Sequence, residues 1–170
     1  MKKSLLVLLV ASSISASVMA ADGVITFNGE ITATTCDITS DNGGKDFTVT
    51  LPKVSTTALA NAGDIAGVTQ FSLKLANCTS NVAVAASFEN TTSTDASNGN
   101  LNPTTGPAGV QIRLADSVGT QTKVNGGPAG QTNIVAGSAT LPFQAYYFAK
   151  TPVTNAGVVT AQVNYTIAYP

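Results

Sequence analysis

Two cysteines, Cys36 and Cys78, are the residues of this 170-residue chain whose chemistry is easiest to assign. They lack the Cys-x-x-Cys spacing of redox-active pairs, so a structural disulfide is expected if the compartment is oxidising. The chain contains no histidine. It therefore lacks both the side chain that titrates near neutral pH and the commonest nitrogen ligand of metals.

Acidic residues offer the next candidate chemistry. Asp37, Asp41 and Asp46 lie close together, but they lack the ligand spacing and closing glutamate of a calcium loop, so a solvated turn is predicted. No Gly-x-Ser-x-Gly motif, phosphate-binding loop or convincing carboxylate pair is present. The net charge is −1, without a basic stripe for phosphates. We predict a protein that is not an enzyme and that uses no cofactor, metal or nucleic acid.

The first twenty residues have the three parts of a secretory signal peptide. Lys2 and Lys3 precede an apolar run at 5–11, and Val18 and Ala20 occupy the small-residue positions before a cleavage site. The apolar run is too short to span a bilayer, which takes roughly 20 residues. We therefore expect export, which makes the Cys36–Cys78 disulfide the default and worth about 3–4 kcal/mol for a loop of about 40 residues.

Alternation of apolar and polar residues recurs along the rest of the chain and predicts half-buried strands at 47–51, 71–75 and 110–114. Denser apolar runs at 82–88 and 141–148 predict strands near the middle of a sandwich. A short helical turn is possible only within 55–66, and 90–109 is predicted to be an exposed loop with little structure of its own. Together these features predict one antiparallel, immunoglobulin-like sandwich.

The end of the sequence is unusually regular and predicts one long strand over 159–169. Its apolar face follows Gly157 and carries Val159, Ala161, Val163, Tyr165, Ile167 and Tyr169. Such a pattern is typical of an ordinary core strand.

A second alternation begins just after the predicted cleavage site. One face carries Gly23, Ile25, Phe27, Gly29 and Ile31. Two interpretations stay open: a first strand of the same sandwich, or an arm that adds a strand to another molecule. A glycine within an apolar face favours the arm, because it leaves room for a neighbouring backbone.

Four motifs in combination resemble the chaperone–usher pilins, the type 1 fimbrial subunit family. They are the stretch Ile25-Thr26-Phe27-Asn28-Gly29-Glu30-Ile31 before Cys36, the stretch Leu75-Ala76-Asn77-Cys78, the stretch Leu141-Pro142-Phe143-Gln144-Ala145-Tyr146-Tyr147, and Gly157 with Tyr169 fourteenth and second from the end. The third motif departs from the family pattern, in which an arginine is usual where Tyr146 stands.

The resemblance implies an all-β fold, namely an incomplete immunoglobulin-like antiparallel sandwich that lacks its last strand. It implies a signal peptide at 1–20, an N-terminal donor-strand extension at 21–31 and a pilin domain at 32–170. The donor face would be Gly23, Ile25, Phe27, Gly29 and Ile31. The acceptor and chaperone-binding strand would carry Gly157, Val159, Ala161, Val163, Tyr165, Ile167 and Tyr169.

The implied function is that of a structural subunit of a surface fimbria, which polymerises by donor-strand exchange and supports cell adhesion. The implied partners are identical or homologous pilin subunits, a periplasmic chaperone and an outer-membrane usher, met on the way through the periplasm to the cell surface. Two alternatives stay open: a minor adaptor or tip subunit, and a secreted sugar-binding adhesin domain. An exported hydrolase is disfavoured by the missing histidine.

Overall fold

A computed structural model describes Thr26 and residues 35–41, 43–90 and 92–170. Residues 33–170 form one compact unit. The predicted signal peptide at 1–20 lies outside the described residues. So do residues 21–31 apart from Thr26, which include all five residues of the predicted donor face.

The described part of the chain is built almost entirely of strands. A 3-10 helix at Thr56–Leu59 is the short helical turn predicted within 55–66. No helix there is long and apolar enough to cross a membrane. The strands are β1 (Asp37–Ser40), β2 (Ile65–Ala76), β3 (Ala83–Glu89), β4 (Val110–Asp116), β5 (Gln121–Thr122), β6 (Pro128–Asn133), β7 (Ala139–Ala149) and β8 (Asn164–Ala168).

These strands form two antiparallel sheets. One has five strands in the order β1-β2-β7-β4-β5, and the other has three in the order β6-β3-β8. The apolar runs at 82–88 and 141–148 become β3 and β7, and both lie inside their sheets, as predicted. Each of the two strands has a hydrogen-bonded neighbour on both sides.

The core lies between the two sheets. Alternate residues of β7 point into it, so that Leu141 and Phe143 are buried while Thr140 and Pro142 are exposed. The ring of Phe143 meets that of Phe88 on β3 edge to face, with centroids 4.9 Å apart. This contact joins the two sheets, and such aromatic pairs stabilise a core beyond the area that they bury.

The predicted disulfide between Cys36 and Cys78 is formed. Cys36 directly precedes β1 and Cys78 follows β2, and the adjoining residues Asp37 and Ala76 are paired in the antiparallel ladder. The bond therefore fastens β1 to the end of a strand that it already accompanies.

The prediction that 90–109 is an exposed loop with little structure was wrong. Asn100 and Leu101 are buried, and the backbone groups of Leu101 exchange two hydrogen bonds with Ile112 of β4, at 2.8 and 2.9 Å. The loop therefore lies along β4 for part of its length.

The physical reason is a buried polar network centred on Gln111, which is 1% exposed. Its amide nitrogen donates to Asp95 Oδ2 and Asn102 Oδ1, both at 2.8 Å. Its amide oxygen accepts from the side chains of Asn98 and Asn100, at 2.9 and 3.0 Å. The polar residues of the loop bond to one another instead of to water, so a polar composition does not imply exposure here.

Candidate functional site

One edge of the three-stranded sheet is formed by β8. Residues 164–168 pair with β3 along one side, and no strand of the described chain pairs with the other side. An open strand edge presents unpaired backbone donors and acceptors, so it can take up a further strand.

The strand predicted over 159–169 is shorter in the structure, where regular pairing is confined to Asn164–Ala168. Upstream of β8, Thr160 makes an isolated bridge to Thr105. The predicted inward face persists nevertheless: Val159, Ala161, Val163 and Tyr165 are half-buried, whereas the intervening 160, 162 and 164 are exposed. The sequence pattern therefore predicted the buried face correctly, but the paired strand is shorter than predicted.

The strand predicted at 47–51 is not formed, although the alternation is real. Phe47, Val49 and Leu51 are half-buried against the core, and Thr48 and Thr50 are exposed. A cavity of about 300 Å³ lies between this stretch and residues 69–71 of β2. Residues 47–51, here called the facing segment, are therefore not paired with β2 as a strand of its sheet.

Apolar side chains of the facing segment and of the end of the chain pack against the same core cluster, and the strip that they border along the open edge of β8 is here called the edge groove. Near one end of it, Phe47 lies beside Tyr165, with ring centroids 6.3 Å apart. Beyond the other end of the facing segment, Pro52 and the ring of Tyr147 both lie against Gly67. Tyr147 also packs against the small core cluster that Val159 contacts. The facing segment and the chain end therefore run alongside each other in opposite directions.

Tyr165 is the polar feature of this groove. Its hydroxyl donates a hydrogen bond of 2.7 Å to the backbone carbonyl of Lys45. Partial burial, and after it the negative charge of Asp46, raises the pKa of the Tyr165 hydroxyl. The hydroxyl therefore remains a donor across the ordinary pH range.

The residues that carry the edge groove are suited to binding and not to catalysis. Apart from Tyr165 and Tyr169, the inward side chains of both its walls are hydrocarbon. In the described ranges, no group of three or more histidine, cysteine, aspartate or glutamate side chains could hold a metal ion. Asp41 is paired instead with Lys74 at 2.8 Å, which lowers the pKa of the Asp41 carboxyl.

The predicted acceptor residues are thus brought together on one side of the groove. Val159, Ala161, Val163, Tyr165 and Tyr169 are half-buried, Ile167 is buried, and Gly157 is exposed with Pro107 as its neighbour. Sequence reasoning missed the opposite wall, since the alternation at 47–51 was interpreted as one more paired strand. It also missed the contact between Tyr165 and Lys45, for which the sequence carries no signal.

A model of the fimbrial protein family matches residues 25–170. The chain belongs to the fimbrial protein family. It is 42% identical to the major fimbrial subunit SMF-1 of Stenotrophomonas maltophilia (strain K279a), over 88% of this chain and 94% of that protein. It is 38% identical to the F17 fimbrial protein of Escherichia coli, over 95% of this chain and 94% of that protein.

The fold is also similar to that of a pilus subunit whose structure has been solved. The P pilus rod subunit PapA superimposes with a TM-score of 0.64 at 17% identity, covering 79% of this chain and 99% of that one. The resemblance seen in the sequence is confirmed, and so is the all-β sandwich. As a fimbrial subunit, this chain is a non-enzymatic structural protein of a surface fimbrium, and its partners there are homologous subunits.

Proposed function

We propose that this fimbrial protein is a shaft subunit that polymerises by donor-strand exchange, in which residues 21–31 of one subunit enter the edge groove of the next. The observation that carries the proposal is the open outer edge of β8, flanked by apolar side chains that the described core leaves half-buried. A strand added there would pair with the backbone of β8 and cover those side chains.

The predicted donor face suits such a groove. If Ile25, Phe27 and Ile31 were buried, each would contribute about 1.5–3 kcal/mol, or roughly 5–9 kcal/mol together. Backbone hydrogen bonds to β8 would add about 0.5–1.5 kcal/mol each. Ordering of the segment and association oppose these gains. Because the added strand would complete a hydrophobic core, its release would require partial unfolding, so the contact would persist.

The geometry of the proposed contact also accounts for the assembly of subunits into a filament. The donor segment and the edge groove are different surfaces, so each subunit would offer one and accept at the other. Such a heterologous contact does not close on itself, and its repetition produces an open fibre.

The same open edge motivates the proposed route of assembly. An exposed apolar strand edge promotes aggregation, so a subunit needs cover before it meets its neighbour. We infer that a periplasmic chaperone supplies this cover with a strand of its own, and that an outer-membrane usher is the place of exchange. The signal-peptide pattern at 1–20 supports passage through the periplasm.

A shaft subunit is favoured over a minor adaptor because SMF-1, which matches this chain over nearly its full length, is named a major subunit. Electron microscopy of cells that carry the whole gene cluster, with and without this chain, tests the assignment. Loss of all filaments is the expected result. Short or sparse filaments would instead indicate an adaptor.

Strand exchange itself is tested with a synthetic peptide that copies residues 21–31. The peptide should raise the melting temperature of the exported chain in a concentration-dependent manner, since a ligand of the folded state stabilises it by mass action. A peptide of the same composition in scrambled order is the control. A melting temperature that ignores both peptides would contradict strand complementation.

A further inference from the structure

Tyr165 connects the two walls of the edge groove. It lies on β8, and its hydroxyl reaches the backbone carbonyl of Lys45, just before the facing segment, at 2.7 Å. Its ring also contacts that of Phe47, the first residue of the facing segment. One side chain therefore spans the distance between the strand edge and the segment opposite.

The facing segment lies within residues 43–54, which are not part of any strand of the described chain. On the β2 side, a cavity separates it from residues 69–71. Phe47 does contact Phe71 of β2 through its ring, with centroids 6.0 Å apart. Among the described residues, the side chains of Phe47, Phe71 and Tyr165 make the contacts that hold this wall against β2 and β8. A segment held in that way retains conformational freedom that a bound strand would have to remove.

We propose that Tyr165 is a positioning residue, a strut that holds the facing segment at the spacing that an incoming strand requires. The inference rests on the proposed strand exchange and names the residue that prepares its site. With the hydroxyl of Tyr165 in place, the facing segment loses part of its conformational entropy when the subunit folds. Without the hydroxyl, the segment must lose that entropy when the strand binds, so association becomes slower.

The hydroxyl is the part of Tyr165 that can be removed without disturbing the core. Tyr165→Phe retains the ring and its contact with Phe47, and it deletes the hydrogen bond to Lys45. Tyr146→Phe is the matched control: Tyr146 is buried on β7 and belongs to neither core cluster, so it loses a hydroxyl away from the groove.

The experiment measures binding of a fluorescent peptide of residues 21–31 to the full exported chain, with hydrogen exchange of the backbone amides at 45–51 recorded in the free chain. For Tyr165→Phe we expect association to slow by about two- to tenfold, the range for one ordinary hydrogen bond. Dissociation should change by less than about twofold, because the bound strand then holds the segment. Exchange at 45–51 should be faster, and Tyr146→Phe should match the wild type in both rates and in exchange at 45–51.

Two results would overturn the strut: unchanged association and exchange in Tyr165→Phe, or faster association, which would make Tyr165 an obstruction. Failure of the wild-type chain to bind the peptide would reject the proposed strand exchange instead. The exchange measurement still decides the strut in that case, since unchanged protection of 45–51 in Tyr165→Phe would show that the hydroxyl does not order the segment.

Discussion

The ammonium group of Lys150 lies 2.5 Å from Oδ2 of Asp95, and this ion pair ties the residue that follows β7 to the loop that precedes β4. The same carboxylate oxygen accepts from Gln111, while Oδ1 accepts from the backbone and hydroxyl of Ser97. Asp95 is only 8% exposed. Asp95 thus supplies the one carboxylate of a network whose other members are amides, the Ser97 hydroxyl and the cations of Lys150 and Arg113.

Asp95→Asn should therefore destabilise the subunit. Hydrogen bonds to a charged group contribute about 1.5–3 kcal/mol each, and leaving a buried partner unsatisfied has a similar cost, so a loss of about 2 kcal/mol in unfolding free energy is expected. Asp41→Asn is the control, because the Asp41–Lys74 pair is exposed on both sides and such pairs contribute little. Urea unfolding monitored by circular dichroism measures both, and equal midpoints for the two variants would contradict a structural role for Asp95.

The stability of the wild type should also depend on pH through Asp95. Hydrogen bonds from Lys150, Ser97 and Gln111 hold the pKa of this carboxyl well below its ordinary value of 3.8. A carboxyl whose pKa is lower in the folded than in the unfolded state stabilises the fold at pH values above its unfolded pKa. This stabilisation is lost as the pH falls through the unfolded pKa and on to the folded one.

Melting temperatures recorded from pH 7 down to pH 2 test this dependence. The difference between the wild type and Asp95→Asn should be constant above about pH 5 and should shrink as the pH falls below about 4. A difference that stays constant across the whole range would show that ionisation of Asp95 does not contribute.

Gly130 permits the close approach of β6 to the core. Its φ is +65°, and a Cβ built on it would lie 2.7 Å from Cζ of Phe143, whose ring is fully buried. Gly130→Ala should lower stability by about 2–5 kcal/mol, because a positive φ destabilises by about 1–2 kcal/mol and overpacking by about 1–3 kcal/mol. Gly127 also has a positive φ, +95°, and open space where a Cβ would be added, so Gly127→Ala reports the cost of the backbone conformation without a side-chain contact. The same loss of stability in both variants would show that contact with Phe143 is unimportant.

Removal of the disulfide should lower subunit yield. Cys36→Ser combined with Cys78→Ser leaves no free thiol and releases a constraint across 42 residues, which the chain-entropy model values at about 3–4 kcal/mol. The expected result is less folded protein in the exported fraction, measured by quantitative immunoblot. Unchanged levels would show that pairing of β1 with β2 suffices without the bond.

Gly29→Leu should block polymerisation if residues 21–31 are the donor segment. A bulky side chain on the predicted inward face would prevent the close approach that a glycine allows there. Capture of the variant by a chaperone should be unaffected, because the proposed capture uses the groove and not the segment. Asn28→Leu introduces the same side chain on the opposite face and should assemble normally. Filaments of normal length in Gly29→Leu, counted by electron microscopy, would remove Gly29 from the mechanism.

Local sequence patterns predicted where apolar segments lie in this fold better than they predicted which segments pair with one another. The runs at 82–88 and 141–148 marked the inner strands correctly, and most of the side chains of both strands are buried or half-buried. The alternation at 47–51 predicted which side chains point inward, but no local signal shows that the backbone stands apart from β2. An alternating pattern indicates which side chains are buried, whereas backbone pairing depends on whether another strand lies beside the segment.

The loop before β4 shows the same limit for polar residues. Gln111 and Asp95 are 16 positions apart, and nothing in either neighbourhood indicates that the two side chains meet. Composition predicted exposure because asparagine, aspartate and glutamine usually face water. The network reverses that expectation, since each amide supplies a donor or acceptor that another needs. Only the three-dimensional arrangement brings these groups together.

A filament on the outside of a cell is exposed to proteases and cannot be repaired there. Proteases cut where a stretch of backbone can be drawn out, and long polar loops usually offer such stretches. The bonding of Asn98, Asn100 and Asn102 to Gln111 removes that opportunity from the part of the loop that the structure describes. The polar connection between β3 and β4 is thereby fastened to β4, which leaves less of its backbone free to enter a protease.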